Sequence, residues 1–335
     1  MATTIKDQIG LRNPSSGTYT AAWHVDWTVG AVLHGGCVAA MIHHAAETHL
    51  ITDPVLNARN QSDIASLHFE FLRPCMRQES TITITTLRTG AATSTIQLQL
   101  AQEGQVKVIA LATATNFDRV LGPTVPVPVT RILYPPPGPV PDFERVLAQK
   151  PEQNWIPFQV SGEIIPFTRR ILALNPRDGF RHEGICDAWN CVENERIDAT
   201  YVAMMTDIVP SMSDTLQRNG GLYDVHTIFH KAKEWAEENP GVPAVIENTA
   251  AEALKSSTFN STVTLDIEFT KKIPKEGGPR FVFTRTAANF LQGGRMNVDV
   301  TICDENMELV CTAHQLILVL ETERKFRGGQ EKSTL

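Results

Sequence analysis

Apolar and polar positions alternate most cleanly over residues 80–88, where Thr81, Ile82, Thr83, Ile84 and Thr85 put hydroxyl and hydrocarbon on opposite sides. A period of two marks a half-buried strand. Similar runs at 64–72, 94–102 and 106–117 predict three more strands, with Gly90 and Gly104 in the turns. Upstream the pattern differs. A strand-like stretch at 18–25 is followed by Val32-Leu33-His34-Gly35-Gly36-Cys37. Residues 38–49 come next, rich in Ala, Met and Ile and free of Gly and Pro. Apolar residues on every side predict a mostly buried helix. The glycine pair before it permits a sharp turn and a close backbone approach.

The same order recurs downstream. A strand-like run at 184–193 contains Trp189. A helical stretch follows at 198–209, with Ala199, Val202, Ala203, Met204 and Met205, and strands are expected at 261–270, 280–289, 295–303 and 309–320. Ser66-Leu67-His68-Phe69-Glu70-Phe71 resembles Thr264-Leu265-Asp266-Ile267-Glu268-Phe269. Element order and hairpin spacing together suggest two copies of one α+β unit, a helix wrapped by a long antiparallel sheet. More than half of the 20 prolines lie between Pro123 and Pro166. Proline removes a donor and fixes φ, so that stretch reads as an extended connector with at most a short helix at 142–149. The expected organisation is a first unit over 1–120, a connector over 121–166, a second unit over 167–321 and a polar tail over 322–335. Residues 222–240 insert an amphipathic helix into the second unit, with Val225, Ile228, Phe229, Ala232 and Trp235 at helical spacing. It is either a lid over a site or surface padding.

Composition narrows the function classes. The 335 residues carry 30 Lys+Arg against 37 Asp+Glu, a net charge of -7. An acidic balance argues against a nucleic-acid partner, which needs a basic face. No window has the roughly 18 apolar residues of a membrane span, and the first twenty residues lack a signal-peptide core. The six cysteines are scattered, none in a CxxC pair, and read as reduced core thiols of a cytoplasmic protein. Neither metal nor cofactor is expected. The terminal Ser333-Thr334-Leu335 lacks the basic middle residue of a peroxisomal address.

Two helix-plus-sheet copies with a Gly-Gly turn into the first helix resemble the double hotdog fold. The chain is similar, over about residues 15–321, to acyl-CoA thioesterases of the thioesterase II type, which include many fungal thioesterase-like proteins. The residues carrying the likeness are His34-Gly35-Gly36, the strands at 64–72 and 80–88, Met205-Thr206-Asp207, and Thr312-Ala313-His314-Gln315. The resemblance implies a catalytic Asp, Thr and Gln in the second unit, matched here by Asp207, Thr264 and Gln315. In the first unit the corresponding places hold His43 and His44, Ser66, and Thr113 and Thr115, so that unit is expected to be degenerate. Substrate-binding roles fall to His34, Gly35, Gly36, Trp189 and Arg295. Arg295 follows Gly293-Gly294 in a hairpin turn, where it would reach a CoA phosphate.

These residues also make sense as chemistry. A carboxylate at the inner end of a buried helix is desolvated and is a stronger base for it. An amide among Leu309, Val310, Ala313, Leu316, Ile317 and Leu318 must find hydrogen-bond partners. With a threonine hydroxyl, the two would hold a water for attack on a thioester carbonyl, the oxyanion facing backbone N–H groups. Other signals weigh less. His226 and His230 share a helix face without the glutamate of a zinc motif. Asp26 and His34 stand too far apart for the Asp/His pair of hotdog hydratases. A Gly-x-Ser-x-Gly elbow is missing. The expected ligand is an acyl thioester, on CoA or a carrier, or a polyketide-derived molecule. Alternatives are a tailoring enzyme of secondary metabolism (dehydratase, isomerase or cyclase) and a non-catalytic binding protein. A homodimer is an expectation for a fold whose sheets pair edge to edge.

Overall fold

The computed structural model describes residues 4–125, 128, 131–221, 223–253, 255–274 and 277–321. The polar tail, residue 222 at the start of the expected insertion, and residues 126–127 and 129–130 of the connector lie outside the described residues.

The first half runs α1 (Ile5–Ile9), β1 (Arg12–Ser15), β2 (Thr18–Ala21), a small hairpin of β3 (Thr28–Val29) and β4 (Val32–Leu33), then α2 (Gly35–Thr52) and α3 (Pro54–Asn57). Four long strands follow: β5 (Asp63–Phe71), β6 (Ser80–Thr89), β7 (Ser94–Gln102) and β8 (Gln105–Thr115). The connector forms α4 (Phe143–Leu147). The second half has β9 (Trp155–Gly162), β10 (Ile171–Pro176), β11 (Ile185–Val192), α5 (Ala199–Met205), α6 (Met212–Gln217), α7 (Val225–Glu238), β12 (Ala244–Asn248) and α8 (Ala250–Ala253). It closes with β13 (Thr258–Phe269), β14 (Phe281–Gln292), β15 (Arg295–Cys303) and β16 (Leu309–Glu321). The strand expected at 18–25 stops at Ala21, because His24 caps a 3-10 turn over Val25–Trp27.

One 14-stranded sheet joins the halves in the order β1-β2-β6-β7-β8-β5-β13-β16-β15-β14-β11-β10-β9-β12. β5 and β13 meet at its centre, and outward from them the two sets of long strands follow in the same order. The two segments that look alike in sequence pair with each other: Glu70 faces Thr264, Phe69 faces Leu265, and Ser66 faces Glu268. A local two-fold relation between the halves follows from that antiparallel pairing. This is the double hotdog architecture expected from the sequence.

α2 and α5 pack inside the curve of the sheet. α2 buries most of its length, from Cys37 and Val38 to His49 and Leu50, and over that span leaves only a narrow stripe of His44, Glu47 and Thr48 half-buried. Gly36 lets the two helices touch. A methyl group there would lie 2.5 Å from the Met204 carbonyl oxygen, closer than side-chain carbons approach backbone.

The second half is larger. β9 lies inside the stretch read as connector, and it forms the platform for β12, which pairs parallel to it. Pro157 is tolerated because the β12 pairing begins only at Phe158. α7 lays Ile228, Phe229, Ala232 and Ala236 on Ile156, Phe158, Ala244 and Ile246. On the far side of the sheet, Leu133 and Val146 of the connector join Phe143 in covering Trp189, Phe281 and Phe283.

Candidate active site

Asp207 stands just past the C-cap of α5, held inward by its own N–H, which donates to the Met204 carbonyl at 3.2 Å. Its side chain is 8 % exposed. Across from it, Gln315 is fully buried in β16, paired with Leu265 on one side and Val298 on the other. The Gln315 Nε2 donates to the Thr206 carbonyl at 2.6 Å, which fixes the amide orientation and turns Oε1 toward the Thr262 hydroxyl. Between them lies the hydroxyl of Thr262, 3.3 Å from Asp207 Oδ1 and 3.3 Å from Gln315 Oε1.

The threonine of this cluster is therefore Thr262, not Thr264. The β13–β16 register shifts between these two residues. The bulge puts Thr262 on the inner face with Leu265, while Thr264 shares the outer face with Asp266, whose carboxylate is held by His68. A bulge of one residue re-aims a side chain in just this way.

The first half of the chain completes the site. His34 is the N-cap of α2, and its Nδ1 accepts the Gly36 N–H at 3.1 Å. The neutral ring then carries its proton on Nε2. Asp207 Oδ2 lies 3.6 Å from the same Nδ1, beyond hydrogen-bond reach. A methyl on Gly35 would sit 2.6 Å from Asp207 Oδ2. Glycine is thus required for the carboxylate to approach the first turn of α2, whose N–H groups carry partial positive charge. The structure brings together Asp207, Gln315, His34, Gly35 and Gly36. It does not bring Trp189 to them: Trp189 is 1 % exposed and packs against Phe143 and Phe283 on the opposite face of β11. Arg295 is exposed at the β14–β15 hairpin, opposite Leu318 on the outer face.

A cavity of about 160 Å³ begins at His34, Met205 and Ile208 and runs into the second half. Ile171, Ala173 and Asn175 of β10 and Cys186, Ala188 and Asn190 of β11 form its wall. Tyr223, Val225 and Ile228 roof it, so the inserted helix covers a chamber rather than padding the surface. Thr262, Asn175 and Tyr223 went unmarked by sequence reasoning. Asn175 had a signal, a lone amide closing the apolar run from Ile171 to Leu174.

Two family models match the chain, the acyl-CoA thioesterase N-terminal domain over residues 23–117 and the acyl-CoA thioesterase C-terminal domain over residues 141–319. The chain belongs to the acyl-CoA thioesterase family. Thioesterase-like protein TwmA of Talaromyces wortmannii is 22% identical over an alignment of 343 residues, gaps included, that covers 96% of this chain and 93% of that protein. A hotdog-fold protein of unknown function from Alicyclobacillus acidocaldarius aligns with TM-score 0.66 at 15% identity, covering 96% of this chain and 99% of the other. Acyl-CoA thioesterase II TesB2 from Mycobacterium marinum aligns with TM-score 0.56 at 16% identity, covering 95% and 97%. These likenesses show the fold.

Of the two acyl-CoA thioesterase domains, only the C-terminal one carries the carboxylate. His43 stands as far beyond its N-cap His34 as Asp207 beyond Asp198. The bulge in β5 leaves Ile64 where β13 has Thr262, and Ala112, rather than Thr113 or Thr115, pairs with Leu67 as Gln315 pairs with Leu265. His43 Nδ1 lies 3.2 Å from Thr200 Oγ1, and burial pushes its pKa down to about 4. At neutral pH it is an uncharged core histidine. The six cysteines are free and buried, with Cys191 raised to about 11 and Cys75 to about 12 by burial. They are poor nucleophiles. Among the described residues no group of three or more His, Cys, Asp or Glu is placed to hold a metal, and no helix is long and apolar enough to cross a membrane.

Proposed function

We propose that this chain hydrolyses acyl thioesters with a water activated by Asp207. The observation that carries the reading is the convergence of Asp207 Oδ1, Thr262 Oγ1 and Gln315 Oε1 beside His34, which lines one end of an apolar chamber. The threonine has one proton and faces two acceptors. It can satisfy only one of them, and the other is open to an O–H from a third molecule. A water placed there gives one hydrogen to Asp207 and one to Gln315, with its lone pair free to attack.

The thioester carbonyl would lie over the first turn of α2, its acyl chain in the chamber and its thiol arm toward solvent. As the water oxygen bonds to the carbonyl carbon, Asp207 takes its proton. The Gly35 N–H and the Nε2–H of His34 face the oxygen that becomes negative, at the positive end of an 18-residue helix. Collapse breaks the carbon–sulfur bond, and the proton on Asp207 returns to the departing thiolate. The products are a carboxylic acid and a free thiol. A purely ligand-binding role would be favoured by an exposed Asp207, and the 8 % exposure of its side chain speaks against it.

The test is release of free thiol from acyl-CoAs of short, medium and long chain. Asp207→Asn keeps the shape and removes the base, so kcat should fall by about a hundredfold or more with little change in KM. Full activity in that variant, or no turnover of any thioester by the unaltered protein, would overturn the proposal.

A further inference from the structure

The polar side chains on the chamber wall fall into two kinds. Thr168 Oγ1 lies 2.9 Å from the carbonyls of both Val160 and Ile165, so its single proton has an acceptor within the protein. Asn190 Nδ2 donates to Thr284 Oγ1 at 2.8 Å, and Thr284 donates to the Ala188 carbonyl at 3.3 Å. Those groups are satisfied within the protein. Asn175 Nδ2 and the Tyr223 hydroxyl are different. Both atoms are buried, both residues line the chamber, and neither atom has a hydrogen-bond partner among the described residues.

Asn175 is 2 % exposed and shares its face of β10 with Ile171 and Ala173. An amide N–H set among hydrocarbon without an acceptor is costly, and folded proteins rarely leave one so. Its place on a ligand-sized chamber points to an acceptor that arrives with the ligand. Tyr223 directly precedes Asp224, the N-cap of α7, so the roof helix carries the second donor into place. Burial raises the Tyr223 phenol above its ordinary pKa, which keeps the hydroxyl proton in place.

Resting on the thioesterase reading above, we propose that the acyl group held in this chamber bears a carbonyl or hydroxyl oxygen along its chain, received by Asn175 Nδ2 and the Tyr223 hydroxyl, and that unsubstituted fatty acyl groups are the poorer substrates. A site built to bond an oxygen discriminates against a chain lacking it, because the plain chain leaves both donors buried and unpaired. The wall hydrocarbon grips the rest of the chain equally in either case.

The experiment compares kcat/KM for octanoyl-CoA with hydroxy- and oxo-octanoyl-CoAs substituted at successive carbons. At least one substituted chain should be preferred by about tenfold or more. Asn175→Leu, close in volume and without donors, should erase that preference. Tyr223→Phe should weaken it, and serves alone if thermal melting shows that Asn175→Leu does not fold. A flat profile, or a preference that survives both variants, overturns the inference while leaving thioester hydrolysis standing. If no thioester is cleaved, hydrolysis fails instead, and calorimetric binding of octanoic acid against its hydroxy and oxo derivatives decides. Selective binding lost in Asn175→Leu upholds the chamber assignment, and equal or absent binding overturns it.

Discussion

Thr262 holds one proton between two acceptors at 3.3 Å, and its neighbour Thr264 faces the other side of the sheet. Replacing each by valine keeps the branched shape and removes the hydroxyl. Thr262→Val should lower kcat by about tenfold to a hundredfold, whereas Thr264→Val should leave it within about twofold. Steady-state thiol release on both variants is the measurement, and equal effects would contradict the assignment. Asp207 and Gln315 were singled out by the resemblance to thioesterase II proteins, and each is also a polar residue at the end or centre of an apolar segment. Thr262 was not legible. A strict period of two from Leu265 passes through Val263, and the bulge that brings Thr262 inward leaves no mark in alternation. Trp189 was misassigned for a related reason. Its size invites a binding role, but its parity opposes it to Ala188 and Asn190, which do line the chamber.

Elements meet at the paired glycines of α2, and the two have separable duties. A methyl on Gly36 strikes the Met204 backbone, so Gly36→Ala must push α2 and α5 apart. A loss of about 1–3 kcal/mol in unfolding free energy, seen as a lower Tm, is expected. A methyl on Gly35 meets only the Asp207 carboxylate, an end that can rotate away. Gly35→Ala should therefore cost activity much more than Tm. Melting curves run beside the thiol assay separate the two. The longer helices and long strands were read from periodicity, with α2 and α5 as buried cylinders and β7 and β15 over the same residues as observed, while the short α1, α3, α6 and α8 were not. β9 was missed because Pro157 and its proline-rich approach mask a strand whose Trp155, Ile156 and Phe158 are buried. β12 depends on β9 and has no alternation strong enough to stand without it.

Across the whole molecule, the duplication leaves a neutral histidine where its counterpart is a carboxylate. His43 keeps its proton off down to about pH 4 in the fold, against 6.5 for a histidine free in water. Between those values the unfolded chain binds the extra proton and the folded one does not. Stability attributable to His43 is thus intact above about pH 6.5 and falls as the pH drops toward 4, by up to about 3 kcal/mol. His43→Gln should flatten that part of the Tm–pH curve, and an unchanged slope would show that other groups govern it. The halves themselves were visible in the likeness of residues 66–71 to residues 264–269. Their mutual pairing at the sheet centre was beyond the reach of the sequence, since it is a contact between strands far apart in the chain.

The carboxylate comes from one half and the helix terminus beneath it from the other, yet both halves are one polypeptide. Two separate subunits meeting this way would lose their reactive centre on dilution, as the partners drifted apart. Here the connector holds each half at a fixed, high local concentration of the other. The centre assembles once, during folding, and stays assembled however scarce the protein becomes in the cell.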